Sequence, residues 1–338
     1  MDCRPWACVV LVMLISEPCQ VYASPQEQTQ AEGEAIIKRA KERSDIRCEG
    51  CPPFRLRADL RAFQEHDWHV LQGTFEEHWQ SAGQWRSTFQ FPGFSQLRIA
   101  SQNRVWSPQD SLYPPYVIFV MSKMLTLPME FNRRGSQKIE NVSDVTVDGN
   151  HRWIVRGSAG NNLRSFDNNS GLLVSEDTEL NGFGERIEYS LPEPFGDKLV
   201  PRAMQYLRDG KLLFEVHVSE IAAEPAVDES LFNPAAGGES WPLCQDVKTP
   251  TPIEKPEPEY TEAARRNKVE GNVVLYMVIG LDGRPHATAV VSAIDAGLAS
   301  QSKETITRRW NFRPANCAGE PVPVSVFAQV SFRLRFYK

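Results

Sequence analysis

LVPRAMQYLRDGKLLFEVHVSEI, residues 199–221, reads as two strands and the turn between them. Two residues, Asp209 and Gly210, separate two runs rich in Val, Leu, Phe and Tyr. Asp-Gly suits the type I′ turn, whose positive φ angles match the twist of an antiparallel pair. A hairpin over 199–208 and 211–221 follows, and it sets the pattern for the residues before it.

Phe54, Leu56, Ala58 and Leu60 alternate with Arg55, Arg57, Asp59 and Arg61, the period of a half-buried strand. Residues 70–79, 85–91 and 96–106 continue in the same manner. Strands 142–147 and 151–157 flank Asp148-Gly149-Asn150, and 163–167 and 172–180 flank Asn168-Asn169-Ser170-Gly171. Residues 185–191 add another strand. One helix precedes the series and a second interrupts it. Residues 35–45 place Ile36, Ile37 and Ala40 on one face. Residues 113–127 form an apolar helix after Pro114-Pro115, but Ser122 and Lys123 mark it as a buried amphipathic element and not a membrane span. The expected unit is an antiparallel sheet with helices over residues 34–238.

The chain has 338 residues, enough for two domains at roughly 100–200 residues each. Pro250, Pro252, Pro256 and Pro258 make residues 239–259 an expected semi-rigid linker. A second domain over 260–338 follows. It has a short helix capped by Thr261, a Val-rich strand at 271–280, a turn at Asp282-Gly283 and a strand at 286–293. A helix at 298–309 and a strand region at 321–336, demoted to an edge at Pro323, complete it. The fold class expected is α+β. The formal charge of -6, with no Lys/Arg block, excludes a nucleic-acid binder.

The N-terminus reads as an export signal over residues 1–23. Arg4 precedes the apolar run 6–15, and Val21-Tyr22-Ala23 is a small-x-small cleavage site. Retention as an inner-membrane anchor, or lipidation at Cys19, are the alternatives. Residues 24–33 are polar and are expected to be a flexible mature N-terminus. Cleavage leaves Cys48, Cys51, Cys244 and Cys317, an even number that suits two disulfides in an exported chain. Three pairings are open. Cys48-x-x-Cys51 closing locally leaves Cys244 for Cys317. A redox helix is blocked by Pro52-Pro53, and a zinc site lacks a second ligand pair.

A set of residues in the last domain carries a resemblance. Pro258-Glu259-Tyr260, Ala263-Ala264-Arg265, Val269-Glu270-Gly271 and Asp282-Gly283 come first. Trp310-Asn311-Phe312-Arg313-Pro314-Ala315, Gly319, Pro321-Val322 and Val330-Ser331-Phe332-Arg333-Leu334 follow. In order and spacing the set resembles the TonB C-terminal domain family over about residues 250–336, with Thr261 where that family often has Pro. The resemblance implies a small αββαβ domain whose terminal edge accepts an extended partner strand. The edge implied is Ser325, Val326, Phe327, Ala328, Gln329, Val330, Ser331 and Phe332. Residues 34–234 more weakly resemble the LolA/LolB-like lipoprotein-carrier fold, through Gly73-Thr74-Phe75-Glu76, Trp79 and the closing Asp228-Glu229-Ser230-Leu231-Phe232. That fold implies a curved half-barrel sheet over an apolar cavity for a lipid or acyl chain. Trp79, Trp85, Phe89, Trp106 and Trp153 are candidates to line it, or to be ordinary core.

No motif for catalysis emerges. His66 and His69 are an i, i+3 pair in a polar segment, a poor metal site. Gly-x-Ser-x-Gly, His-Glu-x-x-His and phosphate loops are missing, and no carboxylates pair at a useful spacing. No catalytic, cofactor or metal residue is expected. The function expected is a non-enzymatic periplasmic binding protein that engages an envelope or outer-membrane protein by strand addition and takes a lipid or acyl ligand. The alternative is a membrane-anchored energy transducer of the TonB family, for which a linker of this length is short.

Overall fold

The computed structural model describes residues 25–63, 70–126, 138–158, 162–180, 183–244 and 246–334. Thirteen antiparallel strands form one open sheet. They are β1 (Phe54–Phe63), β2 (Val70–Ser81), β3 (Gln84–Phe91), β4 (Phe94–Ser101), β5 (Arg104–Ser107), β6 (Ile139–Val147) and β7 (Asn150–Gly157). The rest are β8 (Leu163–Asp167), β9 (Leu173–Leu180), β10 (Phe183–Phe195), β11 (Lys198–Arg208), β12 (Lys211–Ala223) and β13 (Glu239–Pro242). Their order is β13-β5-β4-β3-β2-β1-β12-β11-β10-β9-β8-β7-β6. The hairpin of residues 199–221 is β11–β12, and β12 closes onto β1, pairing Leu60 with Val216. Register shifts at Arg57/Ala58 in β1 and Tyr206/Leu207 in β11 add local twist to a sheet that curves.

The alternation of β1 sorts its two faces. Phe54, Leu56, Ala58 and Leu60 are buried with Val216 and Val218 of β12, and Phe75 and Trp79 of β2. On the opposite face Arg55 pairs with Glu220 at 2.6 Å and Arg57 with Glu76 at 2.7 Å, both partly exposed. Each apolar side chain withdrawn from water contributes about 1.5–3 kcal/mol, whereas exposed ion pairs contribute about 0–1 kcal/mol each. The main core therefore lies on one side of the sheet. Helix α1 (Pro25–Ser44) covers it with Ile36, Ile37 and Ala40, and α2 (Tyr116–Thr126) with Ile118, Met121 and Leu125. Near the start of α1, Gln26 Nε2 donates to the Ile139 carbonyl and Gln30 Oε1 accepts from the Ile139 amide, each at 2.7 Å. Those two side chains occupy the outer edge of β6 as a neighbouring strand would.

The C-terminal domain has α3 (Glu262–Arg266), β15 (Gly271–Ile279), β16 (Pro285–Ala293), α4 (Ala296–Arg309) and β20 (Val324–Phe332), the αββαβ order expected. Its sheet is β16-β15-β20, with β15 central. Thr261 caps α3 through the Ala264 amide, and Asp295 caps α4 through the Leu298 amide at 2.8 Å. Val273, Leu275, Met277 and Ile279 bury against Leu298, Ile306 and Trp310.

Several elements differ from expectation. The run 96–106 is two strands, because Gln102 and Asn103 take positive φ (50° and 60°) and turn the chain between β4 and β5. Strand β10 continues to Phe195 through Pro192 and Pro194. Beyond Glu188 its β9 side is unpaired, so those prolines remove no bond from that side. Strand β13 joins the large sheet. Within the expected linker, β14 (Thr251–Glu254) pairs with β17 (Asn311–Arg313). Trp310 Nε1 donates to the Pro256 carbonyl at 3.0 Å, which pins the same segment again. Pro323 splits the last run into β19 (Glu320–Val322), paired with β18 (Ala315–Cys317), and β20.

Candidate functional site

Strand β15 is buried on both faces, and the reason lies outside its own domain. Residues of one parity meet α4, while Val274, Tyr276 and Val278 of the other parity are buried too. Tyr276 packs against Tyr116 and Phe119 of α2, at ring-centroid distances of 5.5 and 5.1 Å, and against Phe327 of β20 at 5.8 Å. Its hydroxyl donates to the Pro114 carbonyl at 3.0 Å and lies 3.0 Å from Ser325 Oγ. Burial pushes this phenol up to about 12, against the opposing pull of the Ser325 bond and the nearby Arg98 charge.

Other contacts surround that centre. Arg208 Nη1 donates to the Val291 carbonyl at 2.6 Å, and Nη2 to the hydroxyls of Tyr116 and Tyr206 at 2.5 and 3.2 Å. Burial raises the pKa of both phenols, so they stay neutral donors and acceptors at ordinary pH. Tyr113 stacks on His286 at 4.0 Å, and Arg104 pairs with Glu320 at 3.0 Å. Ala100, Val105, Leu112 and Trp241 share a cluster with Ala315, Cys317 and Val322. Cys244 and Cys317 are disulfide-bonded across this boundary, and Cys48 is bonded to Cys51 after α1. The two domains are thus joined by apolar packing, hydrogen bonds and a covalent bridge.

Docking covers one face of the small sheet and leaves its edge. Strand β20 pairs with β15 from Val324 to Phe332, and among the described residues no strand pairs with its other side. Val324, Val326, Ala328 and Val330 turn toward α4, and Phe327 toward α2. The expected edge, Ser325 to Phe332, is this strand.

The five aromatic candidates do not share one wall. Trp79 stacks on Phe54 at 5.4 Å, and Phe89 lies 4.6 Å from Phe75, all buried in the main core. Trp85 lies between that core and the interdomain cluster. Trp153 packs at the margin with Arg39 at 5.6 Å. Trp106 belongs to a separate cluster with Ile99 and Phe232. A cavity of about 410 Å³ opens beside the C-terminal end of α1, lined by Ser44, Arg152, Asp167, Leu173, Tyr189 and Pro201 among others, with none of the five aromatics. Its lining is drawn from β7 to β11, where the sequence offered no aromatic cluster to mark it.

His66 and His69 lie outside the described residues, as do residues 1–24. Among the described residues, His, Cys, Asp and Glu form no group of three able to hold a metal ion, and no helix is long and apolar enough to cross a membrane.

The C-terminal domain has the αββαβ order, Tyr260 packed edge-on to Phe332 at 5.2 Å, and Trp310 in its core. Residues 256–334 match the Gram-negative bacterial TonB protein C-terminal family. This TonB-type module is also similar to the solution structure of the Pseudomonas aeruginosa TonB C-terminal domain. That likeness is 22% identical, covers 28% of this chain and 91% of that one, and has a TM-score of 0.23. An outer-membrane lipoprotein-sorting protein domain from Vibrio parahaemolyticus is 11% identical over 60% of this chain and 97% of its own, with a TM-score of 0.40. A chain of the Pseudomonas aeruginosa MucA/MucB complex is 11% identical over 85% of this chain and 100% of its own, with a TM-score of 0.28. No curated protein matches the chain in sequence.

Proposed function

We propose that the chain is a non-enzymatic binding protein of the bacterial envelope, in which a docked TonB-type module takes an extended segment of a protein partner along β20. The observation that carries this reading is the outer edge of β20, unpaired among the described residues and within residues matched to the TonB C-terminal family. An edge strand presents a row of backbone donors and acceptors that a partner strand satisfies, and side chains on alternate sides then select the partner. Residues 1–23 are the export signal in this reading, and the periplasm is where the module works.

A long-reach energy transducer is supported less. Thr251–Glu254 are paired to β17, and Cys244 is bonded to Cys317, so the segment between the domains is short and tethered.

The test is site-specific photo-cross-linking in the full-length protein, expressed in a Gram-negative cell. A photoreactive residue at Gln329 on β20 should yield one protein adduct whose cross-linked peptide maps to an extended segment. The same residue at Lys303, exposed on α4, should not yield it. Equal labelling from both positions, or none from Gln329, contradicts strand addition.

The large sheet domain is proposed to hold a lipid or acyl ligand, and the cavity of about 410 Å³ beside α1 supports this better than the dispersed aromatics do. Organic extraction of the purified protein followed by mass spectrometry should release acyl species. Protein free of them would leave the domain as the module's scaffold.

A further inference from the structure

Strand β4 sends its alternate side chains to different clusters. Leu97 and Ile99 face Trp106 and Phe232. Gln96, Arg98 and Ala100 share the opposite parity, and Ala100 lies in the cluster with Ala315, Cys317 and Val322 of the TonB-type module. Gln96 and Arg98 therefore stand side by side on the face turned to the interdomain boundary, about 7 Å apart along the strand.

Both are polar, and among the described residues each has a buried N–H donor without an acceptor. Gln96 is 4% exposed, and its Nε2 has no hydrogen-bond acceptor. Arg98 Nε is buried with no acceptor, while the residue as a whole is half-buried. Its described neighbours are the Trp241 ring, 5.9 Å from Cζ, and the Tyr276 phenol. Burial pulls the Arg98 pKa below its ordinary value, and no carboxylate enters that balance. Arginines with little exposed side chain elsewhere have carboxylates beside them: Arg47 pairs with Glu77, Arg164 with Glu176 at 3.0 Å, Arg202 with Glu193 at 3.0 Å, and Arg208 lies 3.6 Å from Glu185. Buried donors left without acceptors are unfavourable. Two such donors side by side call for one acceptor with two oxygens.

We propose that Gln96 and Arg98 form an oxyanion subsite at the boundary between the two domains, and that its ligand is a carboxylate. The guanidinium offers the two parallel N–H groups that a carboxylate takes, the Gln96 amide adds a third donor, and Trp241 supports the guanidinium plane. Tyr276 bonds Ser325, the first residue of the proposed β20 edge, so an acidic group carried by a partner on that edge would arrive close to this subsite. The subsite is an inference separate from strand addition, and its test uses no partner.

Thermal unfolding of the full-length protein tests it, in sodium acetate, sodium phosphate and sodium chloride of matched ionic strength. A ligand that binds only the folded state raises the melting temperature by mass action. Acetate should raise it above chloride in the wild type, and Arg98→Met should abolish the difference. In chloride Arg98→Met should melt no lower than the wild type, because it removes a buried donor that lacks an acceptor. Arg98→Lys keeps the charge without the fork and should weaken the acetate response roughly tenfold in concentration. It serves if the methionine variant fails to fold. A response to phosphate alone would overturn the carboxylate assignment, and equal responses in wild type and variants would overturn the subsite. Either result leaves the Gln329 cross-linking outcome untouched.

Discussion

The hydroxyl of Tyr276 donates to the carbonyl oxygen of Pro114 at 3.0 Å, a bond from the centre of the small sheet to the segment entering α2. Both groups are buried. Tyr276→Phe keeps the ring packing and leaves the Pro114 carbonyl without its donor, at a cost of about 1–3 kcal/mol. Urea denaturation should show a lower midpoint with an unchanged slope.

The same phenol sets an alkaline limit. Its folded pKa of about 12 lies above the roughly 10 of an unfolded tyrosine. The neutral form is favoured by the fold, so this contribution is complete below about pH 10 and is lost as pH rises through about 12. The loss amounts to about 2–3 kcal/mol. Unfolding free energy followed across that window should fall less steeply in Tyr276→Phe than in the wild type. Some decline should remain, because Tyr116 and Tyr206 are shifted the same way.

The Cys244–Cys317 bridge spans a sequence separation of 73. Closing a loop of that length restricts the unfolded chain by about 4 kcal/mol on the chain-entropy account. Replacing both cysteines with serine should lower stability by up to that amount. The double variant of Cys48 and Cys51, separated by 3, should lose less. Denaturation midpoints with and without reductant provide the comparison.

Gly283 has φ of +75°, and a Cβ there would run into the Phe312 carbonyl oxygen. The Phe312 amide also donates to the Gly283 carbonyl at 2.9 Å, so the turn and β17 hold each other. Gly283→Ala combines a strained backbone with a clash and should cost at least about 2 kcal/mol. Amide exchange should rise first around β16 and β17.

Much of the architecture is legible in the residues, and the failures have physical causes. Asp148-Gly149 and Asp209-Gly210 mark hairpins because both residues of each pair take positive φ. Gln102-Asn103 makes a turn with the same signs and carries no glycine to announce it. Strand β14 is hidden by Pro252 and the prolines that flank it, which suggest a free linker until β17 is available as a partner. Docking left one readable trace. VVLYMVI in β15 is apolar at both parities, which in an antiparallel strand means that both faces are covered. The second cover, α2, is supplied by the other domain, and nothing near Tyr276 in sequence names it. Arg98 was equally silent, since an arginine in a strand reads as solvated until its neighbours are known.

The measurement that bears most directly on the account is hydrogen exchange of the full-length protein with the cross-linked partner segment added as a synthetic peptide. Exchange in residues 324–332 should slow on saturation, while α4 and the buried contacts of Tyr276 stay as they were. Protection confined to another element, with β20 unchanged, would contradict strand addition at this edge.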